Sequence, residues 1–303
     1  MSDRSILSQA PMLVMLVFVI AVQILSLAML PAVTASNTRV FENPASTTNP
    51  FIYVLLILGF TFLLLIAIRL KAGFVVSAFI LLSIASSIFF ILTAFLDFVP
   101  GLVLTIGAIL LLRYYPEWYV IDAIGILICA GISALFGISM TTLPTLILLV
   151  ILAVYDALSV YKTRHMVTLA EGVINIKAPL LFVVPKSRGY SFRNDKMESG
   201  EKMEPGENQG KDKGRGAYFL GLGDAIIPTI LVVSANWSVP NAPYLLGLGL
   251  NAPALGAMLG TYLGFAALLT TSRDKPQAGL PFLNGGTVLG FLIGCLLSGV
   301  RPF

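Results

Sequence analysis

Nine apolar runs separated by polar links occupy most of this chain. They are Met12 to Pro31, Phe51 to Ile68, Phe74 to Phe95, Phe98 to Leu112, Trp118 to Phe136, Leu143 to Tyr161, Ala217 to Ala235, Leu245 to Thr270 and Phe282 to Val300. Each approaches the roughly 20 residues a helix needs to cross the hydrocarbon of a bilayer, although the fourth is short and only Leu96 and Asp97 part it from the third. Backbone groups in lipid must be satisfied within their own segment, so the pattern predicts an all-α polytopic membrane protein with nine transmembrane helices. One long polar connection interrupts it. The chain therefore divides into residues 1–161 with six helices, a loop over 162–216, and residues 217–303 with three more.

That loop has two parts. Met166 to Pro185 is mixed and ends in Ala178-Pro179-Leu180-Leu181-Phe182-Val183-Val184-Pro185, whose bounding prolines oppose a continuous helix. Two readings of this run stay open, an anchor at the membrane surface or a strand beside a functional site. Lys186 to Gly216 is polar, glycine-rich and charged, and is expected to be disordered.

Composition agrees with the pattern. The chain is 57% hydrophobic and 11% charged, with a mean hydropathy of +0.92, whereas soluble domains carry about 25% charge. The net charge of +4 does not call for nucleic acid, because the basic residues sit in the links beside apolar runs. With the N-terminus cytoplasmic, 17 of the 19 Lys and Arg lie inside and only Arg39 and Arg301 outside. The positive-inside bias thus predicts a cytoplasmic N-terminus, an external C-terminus and a cytoplasmic 162–216 loop. Cys129 and Cys295 fall within apolar runs and read as small core side chains, not as a disulfide. The first run is too long for a signal-peptide core and is kept as a span.

Against this background two acids stand out. Asp156 lies six residues before the polar link that begins at Lys162, and Asp224 lies seven residues after Ala217, at the opening of the next run. In helices of the predicted direction both fall about 10 Å below the cytoplasmic end. A carboxylate in the bilayer core costs several kcal/mol, so such groups face a partner, a cavity or a reaction. Asp122, early in the fifth run, is shallower and reads as an interfacial or structural acid.

Two carboxyls at one level cannot both ionise when a few Å apart. One keeps its proton and serves as acid, while the other takes a proton from water attacking a peptide carbonyl. A cation or proton relay in a transporter or leak channel uses intramembrane acids as well, so the pair alone leaves both readings open. Other protease chemistries lack their parts. The single histidine, His165, stands in the loop outside any His-Glu-x-x-His pattern, and Gly137-Ile138-Ser139 has no intramembrane histidine to act as base. No cofactor or metal is called for.

Tyr155-Asp156 in one run and Gly221-Leu222-Gly223-Asp224 opening the next, with nine runs and a long polar loop between the sixth and seventh, resembles the presenilin and signal peptide peptidase family of intramembrane aspartyl proteases. The chain length is most similar to an archaeal presenilin homologue. The resemblance implies an aspartic endopeptidase of the Gly-x-Gly-Asp type, with Asp156 and Asp224 catalytic and Tyr155, Gly221, Leu222 and Gly223 close to the substrate. The family's third motif is Pro-Ala-Leu, at the cytoplasmic start of the last span. Pro253-Ala254-Leu255 matches the letters but lies toward the outside by the predicted orientation, so the role is expected at Gly279, Leu280 and Pro281. The resemblance further implies single-span membrane proteins as substrates, in the lipid bilayer of an archaeal cell membrane. Assembly into a homo-oligomer and accessory subunits are left open.

Overall fold

The computed structural model describes residues 3–36, 39–70, 73–160, 181–185, 217–239, 242–245, 249–271 and 278–302. The expectations for Lys186 to Gly216, His165 and Pro179 lie outside the described residues. Nine helices are present among those described: α1 (Asp3–Ala35), α2 (Asn49–Arg69), α3 (Gly73–Phe95), α4 (Phe98–Tyr114), α5 (Trp118–Ser139), α6 (Thr142–Leu158), α7 (Leu222–Ser238), α8 (Ala252–Thr271) and α9 (Gly279–Ser298). Five of them are long and apolar enough to cross a membrane, and the apolar stretches of α2, α4, α6 and α7 are shorter. Large apolar side chains such as Leu55, Phe74, Leu263 and Leu297 stand exposed around the outside, as a lipid-facing surface requires.

Short links make successive helices antiparallel. The Val40 N–H donates to Ser139 Oγ at 2.8 Å, the Thr141 N–H to the Pro44 carbonyl at 2.9 Å, and the Thr142 hydroxyl to the Pro302 carbonyl at 2.7 Å. These bonds tie the ends of α1 and α5, the start of α6 and the C-terminal residues together at one end of the bundle. The three acids lie at the other.

Two helix contacts position that acid end. Along α5 the small or polar residues Asp122, Gly125, Cys129, Ser133 and Gly137 recur every three or four positions and form one stripe. The Cys129 thiol and the Ser133 hydroxyl donate to the Leu222 and Ile226 carbonyls of α7, and a Cβ on Gly137 would collide with Val233. Small side chains let the two helices come close. Between α8 and α9 the approach is closer still. Gly256, Gly260 and Gly264 face Gly286, Gly290 and Gly294 backbone to backbone, so a Cβ on Gly260 would run into the Gly286 carbonyl.

The boundaries correct the hydropathy pattern in two places. Ala217–Gly221 is not the opening of a helix but a strand, β2, which pairs antiparallel with β1 (Leu181–Pro185) from Leu181 opposite Gly221 to Pro185 opposite Ala217. A short apolar run suits a buried strand as well as a helix, and an aromatic pair (Tyr218, Phe219) tips it toward the sheet. Of the two readings of the run before Pro185, the strand is the one observed. Likewise Leu245 does not begin the eighth helix. Tyr244–Leu245 (β3) and Leu250–Asn251 (β4) form a small hairpin, and α8 follows from Ala252.

Candidate active site

Asp156 occupies the buried stripe of α6. Leu148, Leu149, Leu152 and Asp156 follow one another at helical spacing and are all buried, so the periodicity that packs α6 also turns this carboxyl inward. Tyr155, one position earlier, faces outward and is 37% exposed. The partner of Asp156 is the start of α9. The first amides of a helix have no carbonyl to bond within it. Here the Leu280 N–H donates to Asp156 Oδ2 at 3.0 Å, and the Gly279 amide donates to the same carboxyl.

Asp224 reaches the same spot from α7. It is the third residue of that helix, with Gly221 as N-cap, and from this position a carboxyl reaches back to the N-cap amide. The side chain therefore folds over glycine. A Cβ built on Gly221 would lie 3.3 Å from Asp224 Oδ2, and one on Gly279 would lie 3.7 Å from either carboxyl oxygen. Asp224 thus rests against Gly279 while Asp156 holds Leu280, the next residue. Two acids from different helices flank two consecutive residues of α9, within reach of each other's charge. Pro228 adds a local weakness, because it has no N–H to offer the carbonyl of Asp224 one turn back.

One side of this arrangement is open. Asp156 is buried and Asp224 half-buried, whereas Gly223 is exposed and, among the described residues, has no atom within 4 Å of where its Cβ would be. A backbone could approach Asp224 across Gly223. Leu222, between the two glycines, turns the other way into the core, near Gly125.

Strand β1 adjoins the site through α5. Val183 donates its N–H to Asp122 Oδ1 at 2.7 Å, and its side chain packs with Ile121 and Ala217. Asp122, read from sequence as an interfacial or structural acid, is buried and holds the strand beside the acid pair. No sequence pattern links residues 61 apart, and the usable signal was the small and polar stripe of α5.

The third-motif positions divide. Gly279 and Leu280 meet the acids through their backbone, while the Leu280 side chain is buried in a cluster with Leu152 and Ile230. Pro281 follows, half-buried, within the first turn of α9. Pro253-Ala254-Leu255 is elsewhere. Pro253 packs on Gly294, which lies 14 residues beyond Leu280, about 21 Å along α9. Among the described residues no three His, Cys, Asp or Glu side chains come together to hold a metal ion.

Comparisons with known proteins point to one family. The family model described as signal-peptide peptidase, presenilin aspartyl protease matches residues 15–300. A solved structure titled as a presenilin family intramembrane aspartate protease in a C222 space group is 34% identical, with a TM-score of 0.66, over 96% of this chain and 99% of that one. A second, of a presenilin family intramembrane aspartate protease in a P2 space group, is 35% identical with a TM-score of 0.65, over 93% and 96%. A search of curated proteins gave no match. With a family match spanning nearly the whole chain and two acids brought together at one end of a bundle of apolar helices, the protein belongs to the signal-peptide peptidase and presenilin family and is an intramembrane aspartyl protease, acting on transmembrane proteins in the lipid bilayer.

Proposed function

We propose that Asp156 and Asp224 are the catalytic pair of a Gly-x-Gly-Asp endopeptidase that cuts peptide bonds within single-span membrane proteins. The observation that carries this is the convergence of both carboxyls on Gly279 and Leu280. Water held between them loses a proton to the ionised carboxyl and adds to the substrate carbonyl carbon. The protonated carboxyl gives its proton to the carbonyl oxygen. When the resulting tetrahedral carbon collapses, the nitrogen takes up a proton, the C–N bond breaks, and one water has been consumed for each new carboxyl and amine. The transporter reading finds no support in the family or its structures.

A transmembrane helix satisfies its own peptide groups, so the substrate must unwind, and the bonds it loses need replacement. Strand addition to a sheet edge supplies them. In an antiparallel pair, successive residues turn their N–H and C=O groups alternately toward the partner strand and away from it. Val183 spends its N–H on Asp122, so the edge of β1 faces α5. Phe219, opposite Val183, then turns its groups to the outer edge of β2, in line with Ala217 and Gly221. That edge leads into Gly223 and Asp224. The substrate backbone is read as lying along it, with Gly221 and Gly223 leaving it room and Gly279, Leu280 and Pro281 closing the other side. Tyr155 shapes one flank, and Leu222 supports the two glycines from the core side.

The finer topology is our reading from charge and length. It comprises nine spans, a cytoplasmic N-terminus, an external C-terminus and a cytoplasmic 162–216 loop between the 1–161 and 217–303 helices, and the family resemblance adds substrates with external N-termini. The membrane is archaeal by the same reading, and the working unit is one chain or a homo-oligomer. The test is cleavage of a single-span reporter by the purified chain in liposomes. Wild type should cut within the span, and Asp156→Asn and Asp224→Asn should each leave the reporter whole while keeping the wild-type melting temperature. A single variant that retains most of the activity would remove that acid from the pair.

A further inference from the structure

The acid pair makes no use of Asp122, yet this carboxyl is placed at a cost. It is 3% exposed near the start of α5, its Oδ1 accepts the Val183 N–H, and its Oδ2 is buried with no hydrogen-bond partner among the described residues. A buried polar oxygen left unmatched opposes folding, and an apolar side chain of similar size in such a place is often neutral or better. Stability therefore does not account for an acid here. Two of its neighbours on α5 grip the same strand. Ile121 packs on Val183, and Gly125 admits Phe182 so closely that a Cβ there would stand 3.2 Å from the ring.

We propose that Asp122 is a positioning residue for the substrate. By taking the Val183 N–H it closes the outer edge of β1 against α5, leaves the β2 edge as the one open to an incoming strand, and holds that edge in place beside Asp224. An unpaired edge is a template for whatever backbone reaches it, so capping one edge of a two-stranded ribbon directs pairing to the other. This proposal rests on the strand-addition reading given above. It touches binding and not bond cleavage, because Asp122 reaches the reacting centre only through β1 and β2.

The expected signature is a split between KM and kcat in proteoliposomes containing a single-span reporter. Asp122→Ala and Asp122→Val, which have no acceptor for the Val183 N–H, should raise KM about tenfold, the worth of one buried hydrogen bond left unmade, with kcat within about twofold of wild type. Asp122→Asn keeps an acceptor oxygen and should keep KM within about twofold of wild type. Reduced kcat at unchanged KM in the Ala and Val variants, or their failure to fold beside a folded and active Asn variant, would make Asp122 structural only and overturn the proposal. So would an Asn variant as impaired as Ala. If wild type left the reporter whole, the protease reading would fail instead, and amide exchange at Val183 would test the clamp by itself. Exchange about tenfold or more faster in Asp122→Ala than in wild type supports it, and equal rates overturn it.

Discussion

The two ends of the bundle use similar parts for opposite purposes. At the far end a hairpin precedes α8, which opens with Pro253-Ala254-Leu255. Asn236 and Asn251 satisfy the backbone around it. The Asn236 amide donates to the Gly249 carbonyl at 2.9 Å, the Asn251 N–H to Asn236 Oδ1 at 2.9 Å, the Asn251 amide to the Ala235 carbonyl at 2.8 Å, and the Ala254 N–H to Asn251 Oδ1 at 2.9 Å. Every polar atom of this group has a neutral partner, and the helix starts packed against Gly294. At the acid end the β1–β2 pair precedes α7, and it is α9 that opens with Gly279-Leu280-Pro281. There the amides go to carboxyls, one acid is half open, and a glycine borders empty space. Closed polar networks hold structure; chemistry needs charge and room.

Substitutions should separate the two ends. The largest effect belongs to the acids. Asp156→Asn, Asp224→Asn and the double variant should each lower kcat on the order of 10⁴-fold, and the double should be no worse than either single, because members of one catalytic unit are not additive. Turnover measured on folded protein checks this, and a double variant far below both singles would separate the acids into independent roles. Next in size is Gly260→Leu in the α8–α9 seam. With the Gly286 carbonyl in the way the helices must part, costing about 3 kcal/mol, so unfolding in denaturant should shift, and turnover per folded molecule should fall far less than in the acid variants.

How much of this could be read from the chain follows from where each signal lives. Hydropathy finds the nine described helices because backbone in lipid must satisfy itself within its own segment, and it misplaces the starts of α7 and α8 because strands such as Ala217–Gly221 are apolar too. Asp156 and Asp224 were legible as charges in apolar runs. Position rather than spelling separated Gly279-Leu280-Pro281 from Pro253-Ala254-Leu255, although the contact to Asp156 is made by the Leu280 backbone, to which sequence is nearly blind, while the side chain serves the core. Asp122 was undervalued because its partner Val183 comes from the far side of α6 in the chain.

Two smaller effects sharpen the contrast. A Cβ at Gly223 meets no described atom within 4 Å, so in Gly223→Val melting should be nearly unchanged while kcat/KM falls about tenfold or more, the new methyls standing where a substrate backbone must pass. A variant that cleaves as well as wild type would mean that the open side is not the entry. Asn251→Ala removes a helix cap and one more side-chain hydrogen bond at the far end and should cost about 2 kcal/mol of stability with turnover per folded molecule intact, read by thermal unfolding alongside the cleavage assay.

The central claim is that the reacting centre lies at the acid end, bounded by Gly279, Leu280 and Pro281, and not at the matching letters of the far end. The most direct measurement is photocrosslinking with a transition-state analogue of peptide hydrolysis, followed by mapping of the labelled peptides. We expect label on the segments holding Gly221 to Asp224 and Gly279 to Pro281, with both Asp→Asn variants losing it. Label concentrated on Pro253 to Leu255, with none at Gly279 to Pro281, would contradict the account.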